Sequence, residues 1–349
     1  MPPKPSSRVS SASTSRGFDK ELAELESLAE TIRLASTPDA AQIGQIRKAL
    51  GHRNNFIVAK AAKLVAEHEL FALLPDILAA YDRFFIDAVK TDPKCWAKNA
   101  LVKALVKLEH REKDAYLRGL GHHQLEPVMG GKSDSAGALR GACTHALVNC
   151  PGITDADLLT ILLDPLIDTD KTVRMEAARA IGNIGGTSAA LLLRLRILLG
   201  PTPSDKAEPE VLGSCFSSLL GIEGAPAIPL VAKYLEDGDD LSGEAAFALA
   251  DTRLPEALAV LITRLRAGAD EWFASVLLSA IALTRLPEAA DFLIAIIAQD
   301  ERAAPQAIEA IARSAPQQEL SERLRKAVEE TGSARLAAAL REHSNSHSA

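Results

Sequence analysis

The densest concentration of side chains able to do chemistry lies between residues 116 and 135. Tyr116 leads into Leu120-Gly121-His122-His123-Gln124-Leu125-Glu126-Pro127-Val128-Met129-Gly130-Gly131-Lys132-Ser133-Asp134-Ser135. His122, His123 and Glu126 are of the types that ligate zinc or iron. Adjacent histidines tend to point in different directions, however, and no third helical ligand is evident, so no metal site is expected. Gly130-Gly131-Lys132-Ser133 has the ending of a phosphate-binding loop, but the first glycine of that motif would fall at Glu126, and no strand pattern precedes it. A structural loop at 121–137 that packs across the fold or meets a partner accounts for the segment best, with Tyr116, His122, His123 and Glu126 as its candidate contacts.

Elsewhere the chemistry is sparse. No Ser-His-Asp set and no carboxylate pair stands out by spacing, so no catalytic residue is assigned and no cofactor is expected. The four cysteines, Cys95, Cys143, Cys150 and Cys215, form no CxxC pair. Their pattern is that of reduced core thiols in a cytoplasmic protein.

The elements that must carry these residues are helices. Hydrophobic residues make up 47% of the 349 residues but aromatic ones only 4%. That balance favours closely packed helices over sheets, hence an all-α chain. The formal net charge of -7 argues against a general nucleic-acid binder. Charge is uneven: residues 1–120 carry 19 Lys/Arg against 15 Asp/Glu, and residues 121–349 carry 20 against 31. No apolar run is long and clean enough to span a bilayer, and the polar, Pro/Ser-rich residues 1–17 have no apolar core of a signal peptide. Residues 1–17 are expected to be disordered, and an amphipathic helix is expected from about Phe18 to Leu34. One helical array should then run to residue 341, closed by a cap from Gln318 to Arg341, with 342–349 fraying.

The array announces itself by repetition. The segment Asp170 to Gly185 places Val173, Ala177, Ala180, Ile181 and Ile184 on one helical face, with Asp170 as a cap and Gly185 as a stop. Laid elsewhere, this template puts Ala61, Ala100, Cys143, Cys215, Ala245, Val276 and Ala307 at the Ala177 position, 30 to 43 residues apart. Thr252-Arg253-Leu254-Pro255-Glu256-Ala257 recurs intact at Thr284 to Ala289, each proline suiting the first turn of a new helix. In this register Trp96 and Trp272 head their helices and are expected in the core.

Here a family likeness becomes nameable. Thr172 to Gly185, with its Val-Arg pair, double alanine and closing Ile-Gly, resembles the second helix of a HEAT repeat. The shorter C-terminal units resemble the HEAT-like repeats of phycobilin lyases. The likeness covers roughly residues 39–315, and it implies a right-handed α–α superhelix (a HEAT-like solenoid) of about eight helix pairs. It also implies a structural role for Arg174, and for Arg140 at the matching position.

Solenoids of this kind bind along the face lined by their second helices. The row matching Arg179 reads Lys63, Val102, His145, Arg179, Ser217, Phe247, Leu278 and Glu309. It is basic at one end and more apolar at the other, which suits a protein or peptide partner better than a phosphate backbone. Lys63, His145, Arg179, Phe247 and Leu278 are therefore the expected partner contacts of a non-catalytic scaffold. The competing reading, carried by fold likeness alone, is a HEAT-like DNA glycosylase or a lyase-type enzyme or chaperone.

Overall fold

The computed structural model describes residues 10–35, 37–201, 208–314 and 318–345, with side chains at 18–34, 37–201, 208–314 and 318–342. The chain divides into two compact units, Met1–Ala177 and Ala178–Ala349. Among the described residues it is helical throughout, apart from one two-stranded hairpin. No described helix is long and apolar enough to cross a membrane.

The first unit contains α1 (Ser10–Ala35), α2 (Ala40–Leu50), α3 (Asn55–Glu67), α4 (Leu74–Arg83), α5 (Ala88–Thr91), α6 (Trp96–Lys107) and α7 (Lys113–Leu120). The hairpin β1 (Leu125–Val128) and β2 (Gly131–Asp134) comes next, followed by α8 (Gly137–Leu147), α9 (Asp155–Ile161), α10 (Leu163–Leu166) and the start of α11 (Lys171–Ile184). Helices α3, α6 and α8 pack side by side in that order, with α2 against α4 and α7 against α8. α1 begins at Ser10, eight residues before the expected start at Phe18. Residues 1–9 and 346–349 lie outside the described residues.

The second unit holds the rest of α11 and then α12 (Gly186–Leu198), α13 (Glu210–Glu223), α14 (Ile228–Ala232), α15 (Asp240–Asp251), α16 (Pro255–Arg266) and α17 (Glu271–Leu283). α18 (Pro287–Ala298), α19 (Ala304–Arg313), α20 (Gln318–Thr331) and α21 (Ala334–Asn345) complete it. Helices α13, α15, α17, α19 and α21 form a consecutive stack, and α18 packs on α20 beside it.

The stacked helices share one burial pattern, at i, i+4, i+7 and i+8. It is Ile57, Ala61, Leu64 and Val65 in α3, Leu139, Cys143, Ala146 and Leu147 in α8, and Leu241, Ala245, Ala248 and Leu249 in α15. Two helices show that the template had slipped. In α6 the buried set is Ala97, Leu101, Ala104 and Leu105, and in α17 it is Phe273, Leu277, Ala280 and Ile281. Leu101 and Leu277, rather than Ala100 and Val276, therefore match Ala177. A shift of one residue turns a helix by about 100°, so it changes which side chains face the core. Trp96 and Trp272 are accordingly each 47% exposed, not core residues, and Leu278 is fully buried, not a partner contact.

The backbone confirms the corrected register. A left-handed residue closes the helix eight positions after the residue matching Ala177, at Glu69 (φ 49°), Glu109 (φ 52°), Gly185 (φ 71°), Arg253 (φ 53°) and Arg285 (φ 57°). That conformation lets the chain reverse after a helix. The repeated hexapeptide is this turn: Thr252 Oγ1 and Thr284 Oγ1 accept from the N–H of Leu254 and Leu286, and a proline opens the next helix. Gly119 has a different reason. A Cβ there would collide with the Tyr81 hydroxyl and Cys143 Sγ, so glycine is what lets α7 lie against α8.

Candidate functional site

Two features of the first unit gather polar side chains: the base of the hairpin and a groove on the stacked helices. The hairpin turns at Met129 and Gly130, the latter at φ 94°. Gly131, Lys132 and Ser133 lie on β2, so the glycine pair heads no helix and forms no phosphate cradle. The strands are largely exposed on both sides, and a two-stranded ribbon has little stability of its own. What holds it is the network at its foot.

Gln124 is the buried centre of that network. Its Nε2 donates to the Asp92 carbonyl at 2.8 Å and to Glu126 Oε1 at 2.7 Å, while its Oε1 accepts from Cys95 Sγ at 3.2 Å. Glu126 Oε1 also accepts from the Lys94 N–H at 2.6 Å and from Ser135 Oγ at 2.6 Å. Burial opposes the Glu126 charge, yet the bonds from Ser135, Gln124 and Lys94 outweigh it and lower its pKa. On the other strand, Asp134 Oδ1 accepts from the N–H groups of Gln124 and Ala136, and its Oδ2 meets His123 Nδ1 at 2.9 Å and Arg140 Nη1 at 2.7 Å. Burial again opposes the charge, but these donors hold the Asp134 carboxyl well below the usual carboxylate range.

Arg140 ties the hairpin to the helices. Its Nε and Nη2 form a two-pronged bond to Asp168, both at 2.8 Å, and Nη1 reaches the His122 carbonyl at 3.1 Å. Arg174 Nη1 donates to the carbonyls of Asp168 and Thr169. In the corrected register Lys98 falls at the same repeat position as Arg140 and Arg174. It is fully buried, with Nζ 3.0 Å from Asp92 Oδ2 and 3.1 Å from the Phe84 carbonyl. Asp92 also accepts from the N–H groups of Ala97 and Lys98, which caps α6. The sequence reading missed Lys98, Asp92, Gln124, Asp134 and Asp168. Only Lys98 carried a signal, and the slipped template hid it.

The loop candidates do not converge. His122 bonds Gln124 Oε1 at 3.1 Å and packs edge-on against Phe85, and burial lowers its pKa. His123 and Glu126 serve separate partners, as above, and the Tyr116 hydroxyl goes to the His110 carbonyl at 2.7 Å. Among the described residues no three His, Cys, Asp or Glu side chains are grouped to hold a metal ion. All four cysteines are buried, and none is in a disulfide. Burial pushes the Cys95 thiol up to about 11 and the Cys143 thiol up to about 12. Protonated and shielded thiols of this kind are poor nucleophiles.

The second feature is a groove of about 720 Å³ across α6, α8 and the start of α11. Phe71 and Val106 supply exposed apolar surface in it, among Lys103, Lys107, His145 and Glu176. Lys107 pairs with Glu69 at 2.8 Å and His145 with Glu176 at 3.7 Å. Lys103 is exposed and takes the place in the row that Val102 was expected to hold; Val102 is fully buried. Of the other expected contacts, Lys63 is exposed beside Glu67 at 3.4 Å. Arg179 and Phe247 are exposed in the second unit. His145 is thus the one expected contact that lies in the groove.

The chain matches no protein-family model, and no curated protein sequence matches it.

Proposed function

We propose that this chain is a HEAT-like helical-repeat protein, a right-handed α–α superhelix of the cytoplasm, that works without catalysis by holding a protein partner. One observation carries the reading: the groove of about 720 Å³ joins exposed Phe71, in the turn before α4, to exposed Val106 and the cations Lys103 and Lys107 on α6. Apolar anchors flanked by charges suit a peptide segment with an apolar residue and an acidic neighbour. Phe71 and Val106 would supply most of the affinity, and Lys103 would steer and orient the acidic group.

The test is site-specific photocrosslinking with the full chain in native lysate. A crosslinker at position 103 should trap a protein that one at Lys326, on an exposed helix face, does not. The same protein should be lost when Val106→Asp is added. Equal labelling from both positions, or a trapped species indifferent to Val106→Asp, would remove the groove as the binding site.

A further inference from the structure

A cavity of about 570 Å³ opens beside the Arg140 network, lined by the end of α7, by α8 and by the chain from α9 through α10. Leu117, Leu120, Ile161, Pro165 and Ile167 give it apolar walls, and Ile167 is left 73% exposed. The cavity shares no lining residue with the groove on α6 and α8. Arg140 also lines it, with its side chain only 2% exposed. Four of the five N–H groups of that guanidinium are used, and the fifth, on Nη2, has no acceptor among the described residues. A buried donor left open at a cavity wall calls for an acceptor from outside.

The charge around Arg140 says that this acceptor is neutral. Asp168 and Asp134 already outweigh the single charge of Arg140, and Asp164 adds a further negative charge at the wall. Arg174 and Asp170, which both bond Asp168 from behind, cancel each other in charge. A carboxylate or phosphate would meet this negative excess, whereas a carbonyl oxygen would not. The same excess favours a cation elsewhere on the ligand. Asp164 is exposed, and its carboxylate has no partner among the described residues. His123 Nδ1 donates to the Asp134 carboxylate, so the neutral ring has its acceptor at Nε2. Thr169 adds a hydroxyl. An ammonium brings three N–H donors to these three acceptors. A metal ion is a poorer match, since among the described residues no three His, Cys, Asp or Glu side chains are grouped to hold one.

Ammonium, apolar side chain and neutral carbonyl occur together at the start of a peptide. We infer that this cavity binds a free N-terminal amine on an apolar residue. The ammonium goes to Asp164, His123 and Thr169, the side chain lies on Ile161 and Ile167, and the first carbonyl accepts from Arg140 Nη2. A small amino amide presents the same three groups.

Titration calorimetry of the full chain with leucinamide tests this, and so small a ligand should bind with a Kd of about 1 mM. Nα-acetyl-leucinamide, which lacks the charge, and leucine, which adds a carboxylate, should each bind at least about tenfold more weakly. Leucyl-glycyl-glycinamide separates the two sources. Binding as tight as that of leucinamide assigns the cavity to peptide N-termini, and much weaker binding assigns it to the small amide. Asp164→Asn should weaken leucinamide about tenfold with unchanged circular dichroism, while Asp155→Asn, an exposed carboxylate of α9 outside the cavity, should not. Should Asp164→Asn lose helicity, Thr169→Val supplies the same test with a loss of about threefold. No saturable binding of leucinamide, equal binding of its acetylated form or of leucine, or indifference to the cavity variants would overturn the inference.

Discussion

Arg140 places a full charge in the protein interior, and it is tolerated because all three guanidinium nitrogens donate. Nε and Nη2 go to Asp168, while the two N–H groups of Nη1 go to Asp134 and the His122 carbonyl. Removing one partner of such a buried pair costs far more than the pair contributes, because the remaining charge is stranded. Asp168→Ala should therefore destabilise the fold by about 3–5 kcal/mol in urea unfolding. A loss under 1 kcal/mol would mean that water replaces the carboxylate. The acid limb of the stability curve follows from Asp134. Its folded pKa is depressed, so its stabilisation is fully present above the unfolded value of about 3.9 and is lost as pH falls toward the folded value. Asp134→Asn should flatten that acid limb in pH-dependent unfolding, whatever it costs at neutral pH. None of these pairings could be read from spacing, since Asp134 and Asp168 reach Arg140 through folding of the intervening chain.

At the scale of elements, the hairpin and the stacked helices behave oppositely. The hairpin is held at its foot and free at its tip, where Met129 is fully exposed. Met129→Ser should leave the midpoint of thermal unfolding unchanged, whereas Gln124→Ala should cost about 1–3 kcal/mol by orphaning its buried partners. Equal costs would show that the tip packs on something. The stacked helices permit a direct test of register. Leu277→Ala should cost about 2–5 kcal/mol and Val276→Ala well under that; the reverse order would restore the slipped template. That slip had a physical cause. Ala100 and Val276 are small or apolar like the residues they were matched to, and beside Leu101 and Leu277 an apolar pattern alone is ambiguous by one position.

For the whole molecule, the decisive quantity is how charge meets the groove. The chain is acidic overall, at -7, while the corrected row on the stacked helices of the first unit reads Lys63, Lys103 and His145. Rim charges act mainly through steering, and salt screens them. Lys103→Glu should weaken capture of the groove's partner by roughly tenfold at low salt, and the difference should shrink at 1 M salt. A salt-independent loss would point to damaged packing instead.

The sequence by itself determined the helical class, the existence of a repeat and the turns that separate its units. These are local properties: residues three, four and seven positions apart share a helix face, and Thr-Arg-Leu-Pro carries its own turn geometry. It also marked 121–137 as the exceptional connection. Tertiary structure alone decided that this connection is a hairpin, because the bonds that fix it come from Asp92, Lys94, Cys95 and Arg140. It likewise decided which side of each helix faces in, leaving Leu278 buried and Trp96 and Trp272 half-exposed. Burial depends on what packs against a helix, and a helix's own periodicity holds no record of its neighbour.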